Sequence, residues 1–137
     1  DALPISNMFI NLPVADLQKS IEFFTKVGYT FNPQFTDETS TCMVLGPNLF
    51  AMLLNHDRFK GFAPAPIGDS HATSSALISL SVDSREEVDA LIARAVAAGG
   101  TTYREVDDYG FMRSWGYRDL DGQVWEVFWM DPAHVQG

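Results

Sequence analysis

The sequence contains little cysteine and few basic residues. Its single cysteine, Cys42, has no partner for an internal disulfide and no second thiol for a cysteine-rich zinc site. We therefore expect a reducing, cytoplasmic location. Lysine and arginine number 9 against 18 aspartate and glutamate residues, which gives a formal net charge of -9. Because a field of this sign repels nucleic acid, no nucleic-acid partner is expected.

Long apolar runs are also missing. No stretch approaches the roughly 20 apolar residues that a membrane helix needs, and Asp1 to Asn7 lack the basic start and apolar core of a signal peptide. We therefore expect no membrane segment. The length of 137 residues and the 46% hydrophobic composition instead predict one globular domain, residues 1–137, with a packed core.

The first half of the chain is predicted to form a strand, a helix and three further strands. Apolar residues alternate between Phe9 and Val14, which is typical of a strand. Asp16 is then placed to cap a helix that ends at Gly28. Short β-rich runs separated by turn residues follow at 29–31, 40–45 and 49–54.

The second half repeats this order. An alternating strand at 77–82 precedes a helix that starts with the capping box of Ser84 and Glu87 and stops at Gly99-Gly100. Strands are predicted at 101–104, 111–117 and 124–129, with a turn at 119–122. The repetition predicts an α+β fold of two βαβββ modules, residues 8–55 and 76–131. Residues 56–75 form a linker or lid without secondary structure, and 132–137 form a tail.

Each helix is expected to cover one face of its own sheet, which leaves the opposite face of each sheet uncovered. We expect the two sheets to curve around a cup-shaped cavity that takes a ligand. Alternation along the strands places nine residues in this cup. They are Phe9, Asn11, Pro13, Leu77, Ser79, Ser81, Val124, Glu126 and Phe128, and Met52 is also expected to line the cup as a ligand contact.

The run from Asn11 to Leu17, the pair Phe23-Phe24, the turn at 119–122 and the run from Trp125 to Val127 follow one another in a specific order. In that order they resemble the glyoxalase, bleomycin-resistance and extradiol-dioxygenase superfamily, also called vicinal oxygen chelate proteins. The resemblance covers residues 8–131. It implies the paired βαβββ fold and a homodimer.

The resemblance also implies four positions at which many members hold a divalent metal. Here these positions are Phe9, Met52, Leu77 and Glu126. Metal sites need several oxygen or nitrogen donors, and only Glu126 supplies one. We therefore predict no cofactor. A divalent metal completed by His56 or His71 is the alternative.

Glu126 is the residue predicted to carry chemistry. A carboxylate facing an apolar cup suits proton transfer or the binding of a cation. The alternative is a structural ion pair with Arg113 on the neighbouring strand, which is itself a candidate ligand contact. His134 is expected to be an isolated surface histidine, and Cys42 an inert buried thiol.

The first functional hypothesis is therefore a protein that binds a small cationic or aromatic molecule, such as a drug or metabolite, without a metal. One alternative is a glyoxalase-like lyase or isomerase in which Glu126 moves a proton. The other is a dimerising protein with neither ligand nor catalysis. Metal-dependent dioxygenase activity is not expected.

Overall fold

The computed structural model describes residues 3–134, which fall into two compact units. The first unit holds the described residues up to Thr25 together with Tyr29–Gly68. The second holds Lys26–Gly28 and the described residues from Asp69 onward. No helix within residues 3–134 combines the length and the apolar character needed to cross a membrane.

The first unit is built on a four-stranded sheet with the order β1-β4-β3-β2. Its strands are β1 (Met8–Val14), β2 (Thr30–Asn32), β3 (Ser40–Gly46) and β4 (Leu49–Asn55). β1 runs parallel to β4, and the other neighbouring strands are antiparallel. The prediction of one strand followed later by three more is confirmed, with no end shifted by more than one residue.

Helix α1 (Leu17–Val27) starts and stops where the sequence predicts. The side chain of Asp16 accepts a hydrogen bond from the Lys19 amide at 3.1 Å, which satisfies a donor that the first turn leaves open. Gly28 ends the helix with a φ of 125°, a conformation that glycine adopts without steric cost. The buried positions follow helical spacing: Leu17, Ser20, Phe23, Phe24 and Val27.

The second unit repeats the arrangement with a sheet of order β5-β8-β7-β6. Its strands are β5 (Leu77–Ser81), β6 (Asp107–Asp108), β7 (Met112–Arg118) and β8 (Val124–Met130). β5 is parallel to β8, as β1 is to β4. The two sheets therefore share one topology, and the predicted α+β fold of two βαβββ modules is confirmed.

Helix α3 (Arg85–Ala97) covers one face of this second sheet. Its first turn is capped by Ser84, whose hydroxyl accepts from the Glu87 amide at 3.2 Å. The helix buries an apolar stripe of Val88, Leu91, Ile92 and Ala95. On the strands it covers, Tyr117, Trp125 and Val127 are almost fully buried, so this contact forms the core of the unit.

The turn between β7 and β8 is organised by the side chain of Asp119. One carboxylate oxygen accepts from the amides of Asp121 and Gln123, and the other accepts from the Trp125 indole at 2.9 Å. Burial is the largest influence on this group, and it raises the pKa of Asp119 to about 6 against these hydrogen bonds. Gly122 completes the predicted turn with a φ of 86°.

Two predictions about local structure are wrong. The strand expected at 101–104 is reduced to one bridge between Thr101 and Arg118, and the edge strand is the short β6 instead. The linker expected to lack secondary structure begins with helix α2 (His56–Lys60). Asn55 caps that helix, and its side chain accepts a hydrogen bond from the Arg58 amide at 2.9 Å. Because Asn55 is also the last residue of β4, its role as the start of a helix was not predicted.

Candidate functional site

The face of the second sheet opposite helix α3 carries Glu126. In β8, Glu126 is paired with Ser79 of β5 on one side and with Gly116 of β7 on the other. Paired residues project to the same face of a sheet, so Ser79, Glu126 and Gly116 form one row across it. Residues two positions away share this face, and they include Leu77, Ser114, Arg118 and Phe128.

Two side chains hold the Glu126 carboxylate in place. Ser79 donates its hydroxyl hydrogen to Oε1 at 2.7 Å, and Nη2 of Arg104 lies 3.6 Å from Oε2. The side chain of Glu126 is 25% exposed and that of Arg104 is 23% exposed, so both remain in reach of solvent. The carboxylate is therefore an oriented acceptor at an open surface, with a cation beside it.

Arg104 is itself fixed by its neighbours. Its guanidinium donates to the carbonyl and the hydroxyl oxygen of Ser114 at 3.2 and 3.0 Å. Its Nη1 lies 3.3 Å from the Asp107 carboxylate, and its backbone carbonyl accepts from the Trp115 indole at 3.0 Å. Because the backbone and the guanidinium are both anchored, Arg104 reaches Glu126 with little loss of conformational freedom.

An aromatic ring lies over the row that ends at Gly116. A Cβ atom placed on Gly116 would come within 2.5 Å of the Tyr103 hydroxyl, so this position has room only for glycine while the ring stays there. The guanidinium carbons of Arg104 and Arg118 lie 5.9 and 6.0 Å from the centre of the Tyr103 ring. These distances allow cation–π attraction on a face that is more polar than the apolar cup expected from the sequence.

The predicted pairing of Arg113 with Glu126 is wrong. Arg113 is paired with Trp129 and so projects to the opposite face, towards helix α3. There it donates two hydrogen bonds to Asp89 at 2.9 and 3.0 Å and one to Asp108 at 2.8 Å. The error has a simple cause. A residue of β7 shares the face of Glu126 only if it is Gly116 or lies an even number of residues from Gly116, and Arg113 lies three residues away.

In the first unit, Asn11 is paired with Met52 on one face of the sheet. Phe9 is paired with Phe50 on the same face, and their rings stack with centres 4.9 Å apart. Phe9 is 54% exposed and Asn11 is also exposed. The predicted contacts Phe9, Asn11 and Met52 thus lie together on an open, mostly apolar surface, and their role in binding stays a prediction.

The four positions compared above with metal ligands are structurally equivalent in pairs. Met52 lies two residues beyond the partner of Phe9, and Glu126 lies two residues beyond the partner of Leu77. Only one of the four offers an oxygen, and both oxygens of Glu126 already have protein partners, one of them a cation. This donor set does not fit a divalent metal, and no three His, Cys, Asp or Glu side chains within residues 3–134 converge as ligands.

The three histidines and the cysteine each have a different local environment. His56 starts helix α2 on the surface, and the backbone of His71 packs against Gly122. His134 stacks on Phe111 with ring centres 3.9 Å apart. Cys42 is 2% exposed, and burial raises the pKa of its thiol. A buried thiol with a raised pKa is a poor nucleophile, in keeping with the inert role expected for it.

Sequence reasoning missed Tyr103, Arg104, Ser114 and Arg118. Alternation along β7 carries a usable signal for Ser114 and Arg118, because both lie an even number of residues from Gly116. Tyr103 and Arg104 lie in a loop without periodicity, so only the folded chain reveals that they reach this face.

Comparison with known proteins agrees with this architecture. Residues 8–127 match the family model of the Glyoxalase/Bleomycin resistance protein/Dioxygenase superfamily. No curated protein matches the sequence. A hypothetical protein from S. aureus is 26% identical, with a TM-score of 0.77 over 90% of this chain and 93% of that one.

Two other solved structures share the fold at lower identity. A glyoxalase-related enzyme from Fulvimarina pelagi is 22% identical, with a TM-score of 0.77 over 93% of this chain and 88% of that one. The genomically encoded fosfomycin resistance protein FosX from Listeria monocytogenes is 19% identical, with a TM-score of 0.69 over 96% and 98%. With the family match spanning most of its length, the chain belongs to the glyoxalase, bleomycin-resistance and dioxygenase superfamily.

Proposed function

We propose that this protein binds a small molecule on the sheet face that carries Glu126, and that it does so without a resident metal. The observation that carries the proposal is the oriented, partly exposed carboxylate of Glu126, held by Ser79 and Arg104. A ligand that donates a hydrogen bond to this carboxylate would meet an acceptor that is already in position, which lowers the entropic cost of binding.

The surfaces around this carboxylate suit a ligand with an aromatic or apolar part. Leu77 is 58% exposed and Phe128 is half-buried on the same face. Apolar walls with a few fixed polar groups are the usual composition of small-molecule sites. The ion pair with Arg104 partly neutralises Glu126, so the face no longer favours a purely cationic ligand as strongly as an unpaired carboxylate would.

The experiment is a thermal-shift screen of metabolites and antibiotics, including fosfomycin because one structural relative confers resistance to it. A ligand at a hundredfold excess over its Kd stabilises the folded state by about 2.7 kcal/mol. We expect at least one hit with the wild type and a clear loss of its shift in Glu126→Gln. Glu22→Gln is the matched control, since it removes the same charge at an exposed position on α1.

Metal content provides an independent test. We expect the purified protein to carry no stoichiometric metal, and calorimetry with Ni, Zn, Mn and Fe to show no tight binding at one ion per chain. Tight stoichiometric binding that is lost in Glu126→Gln would refute the metal-free part of the proposal. Hits that persist unchanged in Glu126→Gln would refute the recognition role of the carboxylate.

A proton-transfer role for Glu126 is a second candidate. The hydroxyl of Ser79 and the guanidinium of Arg104 hold the carboxylate in one orientation, and a positioned carboxylate is a common general base. A lyase or isomerase reaction would use it as a base. Turnover of a bound ligand by the wild type and its loss in Glu126→Gln, with binding retained in the variant, would distinguish catalysis from binding alone.

We also propose a homodimer. Edge strands of both sheets expose large apolar side chains, with Met8 52%, Phe9 54% and Leu77 58% exposed. Burying such surface is the main driving force for association. Sedimentation equilibrium should give twice the chain mass of 15.2 kDa, and a monomer at all concentrations would exclude the dimer.

A further inference from the structure

Arg118 lies at the end of β7, on the same face as Glu126. It is paired with Val124 of β8, two residues before Glu126, and its backbone exchanges hydrogen bonds with Thr101 at 2.7 and 3.2 Å. Two residues along a strand span about 7 Å. The backbone of Arg118 is therefore fixed about 7 Å along the sheet from the row that holds Glu126.

Arg118 differs from the other arginines of the second unit in its partners. Four of them have a carboxylate within 4.0 Å: Arg85, Arg94, Arg104 and Arg113. Within residues 3–134, Arg118 has none, although the chain contains twice as many acidic as basic residues. Its Nε atom is buried without a hydrogen-bond partner among the described residues.

A buried guanidinium nitrogen without an acceptor is unfavourable, because it has lost its hydrogen bond to water and has no protein hydrogen bond to replace it. The planar guanidinium matches the geometry of a carboxylate or a phosphoryl group, which it binds through two parallel hydrogen bonds. An anionic ligand group would therefore supply the missing acceptor. The net charge of -9 opposes the binding of anions, but charges more than about 8 Å from the guanidinium are largely screened at physiological ionic strength.

The surroundings of Arg118 add a donor and a second cation. The Tyr103 ring centre lies 6.0 Å from the Arg118 guanidinium carbon and 5.9 Å from that of Arg104. Tyr103 is 36% exposed, so part of this residue remains accessible to a ligand. The local charge of the two guanidinium groups favours an anion at this ring even though Arg104 also pairs with Glu126.

We propose that Arg118, with Tyr103 beside it, binds the anionic group of the small molecule, a carboxylate or a phosphoryl group. This inference rests on the proposed function, and it narrows the ligand class to acids. Glu126 then accepts from a hydroxyl or amine of the same molecule, placed about 7 Å along the sheet. The ligand would thus carry an acidic group and a hydrogen-bond donor separated by a few bonds.

The first test uses the wild type alone. Arginine Nε–H resonances in a nitrogen-15 labelled sample are followed while inorganic phosphate, acetate or benzoate is added at constant ionic strength, with chloride as the reference salt. We expect a saturable shift of the Arg118 resonance with at least one of these probes and little change at Arg58. A shift with phosphate but not the carboxylates identifies a phosphoryl site, and the reverse identifies a carboxylate site.

The second test uses two variants that remove the same charge. Arg118→Gln should raise the apparent Kd of the active probe by at least about fivefold, because a charge-assisted bidentate contact is lost. Arg58→Gln is the control, since Arg58 is exposed and its guanidinium lies 5.5 Å from the Phe62 ring in the first unit. Equal effects of the two substitutions would show a non-specific response to charge.

Two outcomes would overturn the inference. One is the absence of a saturable Arg118 shift with all three probes. The other is a screening hit that binds Arg118→Gln as tightly as wild type but is lost in Glu126→Gln. The second outcome leaves the proposed function intact, whereas a hit unaffected by either substitution would count against both.

Discussion

The pH dependence of stability should report on the buried carboxyl group of Asp119. Burial raises the pKa of Asp119 to about 6 in the folded chain, against a value of 3.8 for the unperturbed group. Below about pH 4 the group is protonated in both states, and above about pH 6 it is ionised in both. Between these limits the folded chain holds more protons than the unfolded chain, so its contribution to stability falls as the pH rises.

The size of this loss of stability follows from the shift in the pKa of Asp119. A difference of about two units, at 1.36 kcal/mol per unit, corresponds to a loss of about 3 kcal/mol between pH 4 and pH 6. The contribution of Asp108 to stability changes with pH in the opposite direction, because the hydrogen bond from Arg85 holds the pKa of Asp108 well below its usual range. Its stabilising contribution is present above pH 4 and is lost as the pH falls, so the two windows do not overlap.

The assay is urea unfolding of the wild type and Asp119→Asn at several pH values from 4 to 7. Stability at one pH is not diagnostic, because the amide removes a buried charge but also disrupts a hydrogen bond to Trp125 or to the backbone, at a cost of about 1–3 kcal/mol. The diagnostic quantity is the slope of the unfolding free energy against pH, which should be more negative in the wild type than in Asp119→Asn. If the wild type and the variant change in parallel across this range, Asp119 does not have a raised pKa and the reasoning fails.

Two further substitutions test the packing around the second sheet. Arg113→Lys should lower the free energy of unfolding by about 1 kcal/mol, because an ammonium cannot reproduce the bidentate contact with Asp89. Solvent screening keeps the loss this small. An unchanged urea midpoint would show that these bonds contribute nothing to stability. Gly116→Ala should change stability by less than about 1 kcal/mol, since the displaced Tyr103 ring is flexible and partly exposed. It should nevertheless shift the Tyr103 NMR signals and weaken phosphate or carboxylate binding, and unchanged signals would contradict the ring position.

Local sequence signals predicted most of the fold because each has a short-range cause. The caps at Asp16 and Ser84 and the glycine at Gly28 act within one helical turn, so their consequences can be read without knowing the tertiary structure. The strand expected at 101–104 failed for the opposite reason. Strand formation depends on a neighbour, and after the bridge at Thr101 this segment turns to place its side chains over β7.

The candidate site was predicted only in part. Alternation correctly puts Ser79 and Glu126 opposite the helix-facing residues of their own strands, because the rule needs only the order of residues along each strand. It cannot assign partners across strands without the register, and so it selected Arg113 instead of Arg104. Arg104 lies in a loop, and no periodic sequence pattern predicts where the side chain of a loop residue lies in the folded protein.

The two modules differ in the polar groups that surround one equivalent strand position. Met52 and Glu126 occupy equivalent positions, and their paired neighbours are Asn11 and Ser79. Glu126 has a hydroxyl donor and a guanidinium within reach, whereas the face around Met52 is lined by the stacked rings of Phe9 and Phe50. A charge is tolerated at a partly buried position only where donors and a counter-ion offset its desolvation, and of the two faces only that of the second sheet provides both at this position.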